Sequence, residues 1–185
     1  MYRAVIAATK EKMIKTKEFY QKDMLSLRAG RANPQILDKI MVDYYGSATP
    51  LKQMGNINSP EPRLLTIALW DPKAIPLVEK AIQKSDLGMN PSNDGKLIRL
   101  VVPELNAERR KELTKVVRKG AEEAKVAMRN TRRDAMEQFK KMKKDSQITE
   151  DDQRKAEDEL QKITDAQIKD VDKIAGEKEK EIMSV

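Results

Sequence analysis

The residues of this chain that could do chemistry are cations, and their spacing is helical. Lys111, Lys115, Arg118, Lys125, Arg129 and Arg132 follow one another at steps of three, four or seven, and Arg133 lies beside them. Such steps return to one side of a helix with 3.6 residues per turn. From Arg109 to Lys144 there are 14 Lys and Arg against 5 Asp and Glu, a net of +9. A cationic stripe of this kind is suited to a polyanion. Four of its positions from Arg118 to Arg133 are Arg, whose planar fork matches phosphate and base edges better than a Lys ammonium does. Two other readings stay open on the residues alone: a solvated helix face, and internal pairing with an acidic helix further along the chain.

Other chemistry is closed off by what the chain lacks. It has no Cys and no His, which excludes disulfides, thiol nucleophiles, His general bases and the usual zinc sites. No glycine-rich phosphate loop occurs, so any nucleotide hydrolysis falls to a partner. Glu150-Asp151-Asp152 and Glu157-Asp158-Glu159 could suggest a metal site, but consecutive residues diverge around a helix, and capping and solvation account for them. The expectation is a protein that is not an enzyme and needs no cofactor and no metal.

The cations need a long helix to carry them. Asn106 to Asp145 is a 40-residue run without proline, with Asn106 as N-cap and Glu108 in the first turn. Leu113, Val117, Gly120, Ala124, Thr131, Ala135 and Met142 give it a packing face. Tyr2 to Arg28 forms a second helix, with a seven-residue seam of Ile6, Met13, Tyr20 and Leu27 filled by Thr9, Thr16 and Met24, stopped at Gly30. Thr149-Glu150-Asp151-Asp152 opens a third, whose stripe is Ala156, Leu160, Ile163, Gln167, Val171 and Ile174. The three segments carry net charges of +4, +9 and −6 in the order first helix, basic helix, Asp145–Val185. Complementary seams and charges predict one antiparallel three-helix bundle.

Between Gly30 and Glu104 the composition changes, and all eight prolines fall there. Ile40–Tyr45, Arg63–Trp70 and Leu97–Val102 read as strands. Asp71-Pro72 reads as the capped start of a helix through Ser85, and Ser92–Gly95 as a turn. Trp70 is expected in the core of this module. The chain is therefore read as α+β with two domains: residues 1–30 and 104–185 as the bundle, and 31–103 as an inserted module. Leaving at Gly30-Arg31 and returning at Pro103-Glu104 makes a double linker, a natural hinge. No apolar run approaches a membrane span and the first residues lack a signal-peptide pattern, so a cytoplasmic protein is expected.

The motifs, in order, resemble a known family. They are Leu27-Arg28-Ala29-Gly30-Arg31-Ala32, Val42-Asp43-Tyr44-Tyr45-Gly46, Thr49-Pro50-Leu51, Glu79-Lys80-Ala81-Ile82 and Ser85 to Pro91. Glu108-Arg109-Arg110-Lys111, Arg129 to Asp134 and Gln161 to Asp165 follow. This set is similar to bacterial ribosome recycling factor over nearly the whole chain. The resemblance implies an L-shaped, tRNA-like molecule of a long three-helix bundle and a small β/α/β domain. It implies a monomer that binds the ribosome after termination. With elongation factor G and that partner's GTP hydrolysis, it separates the subunits so that mRNA and deacylated tRNA leave. It also implies that the bundle lies on large-subunit rRNA, with Arg28, Arg31, Arg110, Arg129, Arg132 and Arg133 as contacts. The small domain would swing about a hinge at Gly30, Arg31, Pro103 and Glu104. Two alternatives differ in class: a general RNA-binding helical arm, and a structural coiled-coil adaptor. The inserted module argues against both, since an arm or stalk needs only a tight helix–helix loop.

Overall fold

The computed structural model describes residues 1–27 and 29–184. Its elements are α1 (Tyr2–Ser26), β1 (Met41–Tyr44), β2 (Ser47–Pro50), α2 (Leu51–Met54), β3 (Gly55–Glu61), β4 (Leu64–Leu69), α3 (Ile75–Lys84), β5 (Ser92–Asn93), β6 (Leu97–Val101), α4 (Ala107–Lys144) and α5 (Glu150–Ser184). Short 3-10 turns cover Pro34–Leu37 and Pro72–Ala74. The chain is α+β, three long helices together with a small sheet module. Two compact units divide it, one of Met1–Met24 with Thr114–Lys180 and the other of Leu25–Leu113 with Glu181–Val185. Among the described residues no helix is long and apolar enough to cross a membrane.

In the first unit the directions of the helices follow from their cross-links. Met13 meets Thr164 and Lys17 meets Asp170, so α1 and α5 run parallel. Arg118 meets Glu179, Lys125 meets Asp172 and Arg132 meets Gln161, so α4 and α5 run antiparallel. Tyr20 Oη donates to the Val117 carbonyl at 3.0 Å and is 4% exposed, which ties α1 to α4. The seam of α1 buries Ile6, Thr9, Met13, Tyr20 and Met24, while Thr16 and Leu27 stay half-buried.

On α4 the buried face is Leu113, Val117, Ala121, Ala124, Met128, Ala135 and Phe139. It is rotated slightly from the face expected, so Gly120, Thr131 and Met142 lie at its edge. Phe139, the largest fully buried side chain, was not on the expected face. On α5 the buried line runs Ala156, Leu160, Thr164, Gln167, Val171, Ala175, with Ile163 and Ile174 at its margin. Each fully buried side chain of Leu or Phe size stabilises by about 1.5–3 kcal/mol before ordering entropy is subtracted.

The helix ends behave as their residues dictate. Asn106 Oδ1 accepts from the Arg109 N–H at 2.7 Å and caps α4. Thr149 and Asp152 bond reciprocally, Thr149 Oγ1 accepting from Asp152 N and Asp152 Oδ2 from Thr149 N. This capping box holds the Asp152 carboxyl below its ordinary value. Between α4 and α5, Ser146 takes φ +55° and Gln147 N–H bonds back to Met142 O, closing the turn without a glycine.

The second unit holds the sheet module. Its four-stranded antiparallel sheet has the order β3-β4-β6-β5, and β1 and β2 form a separate hairpin. Tyr45 (φ +51°) and Gly46 (φ +84°) make the two-residue hairpin turn, and Asp43 Oδ1 accepts from Gly46 N. Leu65 pairs with Leu100 and Ile67 with Ile98 across β4 and β6. With Val42, Leu51, Val78 and Ile82 these residues form the module core. A Cβ on Gly55 would strike the Ala68 backbone across β3–β4, so only glycine fits that approach. The Asp71 cap and Pro72 open the expected helix, first as a 3-10 turn and then as α3.

Trp70 corrects an expectation. It is 72% exposed. Leu65, Ile67 and Leu69 are buried at alternate positions of β4, so the next residue falls on the outer side. Strands β2 and β3 and helix α2 lie outside the expected elements, and Ser92–Asn93, expected in a turn, form strand β5 against β6.

Candidate nucleic-acid interface on the basic helix

The cationic stripe is two lines rather than one. Arg118, Lys125 and Arg132 are seven apart and keep nearly one bearing on α4, drifting only about 20° per seven residues. All three turn toward α5. Arg118 Nε lies 2.7 Å from Glu179 Oε1, Lys125 Nζ 2.9 Å from Asp172 Oδ1, and Arg132 Nη1 2.6 Å from Gln161 Oε1. Lys125 also meets Glu122 on its own helix at 3.3 Å. Partner carboxylates hold both Arg118 and Lys125 above their ordinary pKa, Glu179 for the first and chiefly Asp172 for the second. Lys143 reaches Glu150 at 3.6 Å, further along the same seam.

The second line is Lys115, Arg129, Arg133 and Lys140, one step further round and facing solvent. Arg129 has a long contact with Glu122 at 3.4 Å. Lys115, Arg133 and Lys140 are exposed and make no hydrogen bond or ion pair among the described residues. Lys111, exposed and equally without one, precedes this line on the same helix, in the second compact unit. These exposed cations have no carboxylate partner among the described residues, the condition for giving up counterions to a phosphate backbone. Next to them, Lys119, Glu122, Glu123, Val126, Ala127 and Asn130 line a shallow depression on the same helix. Glu122, seven residues from both Lys115 and Arg129, falls within the solvent line itself and offsets part of its charge there.

Of the other expected contacts, Arg28 lies outside the described residues. Arg31 is exposed without an ion pair or hydrogen bond among them. Arg110 is half-buried and its Nη1 donates to the Met183 carbonyl at 3.2 Å. Both belong to the second compact unit. Of the expected hinge residues, Gly30 is buried with φ +82°, the left-handed conformation glycine adopts freely, while Arg31, Pro103 and Glu104 are exposed. Bonds beside them fasten the chain to the sheet: Ala32 N–H to Pro62 O, Val102 N–H to Arg63 O, and Arg63 to Glu104 at 2.8 Å. Among the described residues no three or more Asp and Glu gather in a group that could hold a metal ion.

Sequence reasoning missed Gln161 as a partner of the stripe, although it opens the Gln161–Asp165 motif. The signal available was the seven-residue rhythm of Arg118, Lys125 and Arg132, which marks a seam beside a neighbouring helix.

Comparison with known proteins agrees along the full length. Residues 20–183 match the family described as ribosome recycling factor. The chain is 58% identical to the ribosome-recycling factor of Syntrophomonas wolfei and 52% identical to that of Bacillus subtilis, each over 185 residues and covering 100% of both chains. The solution structure of a ribosome recycling factor matches with a TM-score of 0.80 at 40% identity, over 100% of this chain and 98% of the other. A structure of the T. thermophilus ribosome recycling factor and the E. coli elongation factor G bound to the E. coli post-termination complex matches with a TM-score of 0.69 at 43% identity. It covers 98% of each chain.

Proposed function

The chain belongs to the ribosome recycling factor family, and on that premise we propose that it acts on the ribosome after translation termination. It binds the post-termination ribosome as a monomer in the cytoplasm. With elongation factor G and GTP hydrolysis by that partner, it promotes subunit separation and release of mRNA and deacylated tRNA. The chain supplies no catalytic group and needs no cofactor; its work is binding and mechanical.

The observation that carries the binding part is the solvent line of α4, where Lys115, Arg133 and Lys140 stand exposed and uncompensated beside Arg129. Large-subunit rRNA is the polyanion proposed to meet it. Arg132 joins from the inner line, since its tether is a neutral amide. Arg28, Arg31 and Arg110 complete the proposed contacts, on family resemblance. The proposal divides the protein into a bundle of residues 1–30 and 104–185 and a module of 31–103 that moves about Gly30-Arg31 and Pro103-Glu104. The hydrogen bonds at Ala32, Val102 and Arg63 favour bending just outside them.

The test is co-sedimentation with purified ribosomes over a salt series. Binding should weaken steeply with salt, by a slope of about 0.7–0.9 in log affinity against log salt for each phosphate contact. A helical adaptor acting through protein would show no such slope, and salt-independent binding would remove the rRNA reading.

A further inference from the structure

Arg118, Lys125 and Arg132 occupy equivalent places along the α4–α5 seam, but their partners differ in kind. Arg118 and Lys125 each face a carboxylate, Glu179 and Asp172. Arg132 faces the side-chain amide oxygen of Gln161 at 2.6 Å, in a partly buried setting. Gln161 is itself held, its Nε2 donating to Asp165 Oδ1 at 2.8 Å one turn further along α5. The relay Asp165–Gln161–Arg132 therefore fixes one edge of the guanidinium without placing a negative charge against it.

The distinction matters for an anion. A carboxylate at hydrogen-bond distance cancels most of a guanidinium's field and must be displaced or shared before a phosphate binds. An amide accepts one N–H and leaves the +1 charge whole, with four of the five donors still available. It also removes the rotamer freedom that a long side chain would otherwise lose on binding.

We propose that Gln161 is a positioning residue for the polyanion site: it orients Arg132 toward phosphate while leaving its charge uncompensated, and its neutrality makes Arg132 the binding member of an otherwise self-paired line. This rests on the reading that Arg132 meets rRNA, and it adds a role for a residue that touches no RNA itself.

Four full-length variants test it, R132A, Q161E, Q161L and R132A/Q161E, each measured for affinity to purified ribosomes across a salt series and for melting temperature. R132A should lose about tenfold or more in affinity and reduce the salt slope by about 0.7–0.9. Q161E, which turns the tether into an ion pair, should weaken binding to within about threefold of R132A and lower the slope similarly, while the melting temperature stays near that of the parent. The double variant should be no weaker than R132A alone, because both changes remove one contact. Q161L keeps the charge but frees the side chain, so it should lose a few-fold in affinity with the slope unchanged. A weak R132A beside a Q161E of parental affinity and slope overturns the role of the neutral amide. A Q161L of parental affinity overturns the positioning. Parental binding by R132A overturns both this inference and the Arg132 contact beneath it.

Discussion

Replacing Lys125 and Arg133 separately tests whether the two cation lines of α4 do different work. Lys125 Nζ sits 2.9 Å from Asp172 and 3.3 Å from Glu122, and the Lys side chain is only 18% exposed. At about 4 Å and an effective dielectric of 20, one such pair has a gross attraction of about 4 kcal/mol. The carboxylates are 57% and 60% exposed, so water recovers most of that when the pair is broken. The net expectation for Lys125→Ala is about 0.5–1 kcal/mol, a fall in melting temperature of about 1–4 °C for a chain of this size. A double-mutant cycle with Asp172→Ala should return a coupling of the same size. Arg133→Ala breaks nothing within the protein and should melt within about 1 °C of the parent. In ribosome binding the order reverses: Arg133→Ala loses affinity and about 0.7–0.9 of salt slope, and Lys125→Ala loses neither. Thermal melting followed by circular dichroism and a salt series of co-sedimentation are sufficient. If Lys125→Ala weakened binding as much as Arg133→Ala while melting normally, the division into two lines would be wrong.

Other parts of the structure give independent predictions. Phe139→Ala should cost about 3–5 kcal/mol by urea unfolding, since the ring is fully buried between the helices; a loss under 1 kcal/mol would contradict its placement. Tyr20→Phe removes the bond to the Val117 carbonyl and should cost about 0.5–1.5 kcal/mol. Burial, with Glu179 and Asp172 nearby, pushes the Tyr20 hydroxyl up to about 12, so the unfolded chain ionises first and stability conferred by this group is lost as pH rises from 10 to 12. That alkaline loss should shrink in Tyr20→Phe, and an identical pH profile would contradict it. Trp70, the one tryptophan, should emit as a solvent-exposed indole, be quenched freely by acrylamide, and lose little stability on change to Ala.

The three helices were legible because each repeats its apolar pattern over ten or so turns or fewer but always several, long enough to average out single exceptions. The caps at Asn106, Asp71 and Thr149 were legible because their chemistry is local. What escaped had short or mixed signals. Strand β2 is Ser-Ala-Thr-Pro and β3 is Gly-Asn-Ile-Asn-Ser-Pro-Glu, too polar to read as strands and paired only through the tertiary fold. Phe139 was hidden among Gln138, Lys140 and Lys141, where local polarity outweighs one ring. Trp70 was expected in the core because it has no aromatic company to stack a base, when the parity of Leu65, Ile67 and Leu69 already placed it outside.

The cationic site was legible as a stripe but not as two lines. Which cations turn inward depends on the rotation of α4 against α5, and that is set by side chains from Glu150 to Glu179 that the stripe itself does not contain. Gln161 shows the same limit. Its role follows from standing opposite Arg132, 29 residues away in the chain.

The central claim is that this chain takes ribosomes apart with the help of a GTP-hydrolysing translocase. Light scattering of purified post-termination 70S ribosomes, mixed with this protein, elongation factor G and GTP, measures it most directly. The account predicts a fall in scattering that requires all three additions and that slows when Arg129, Arg132 and Arg133 are replaced together by Ala in a protein that still melts as a folded bundle. Unchanged scattering with the parent protein, or undiminished splitting by the triple variant, would contradict it.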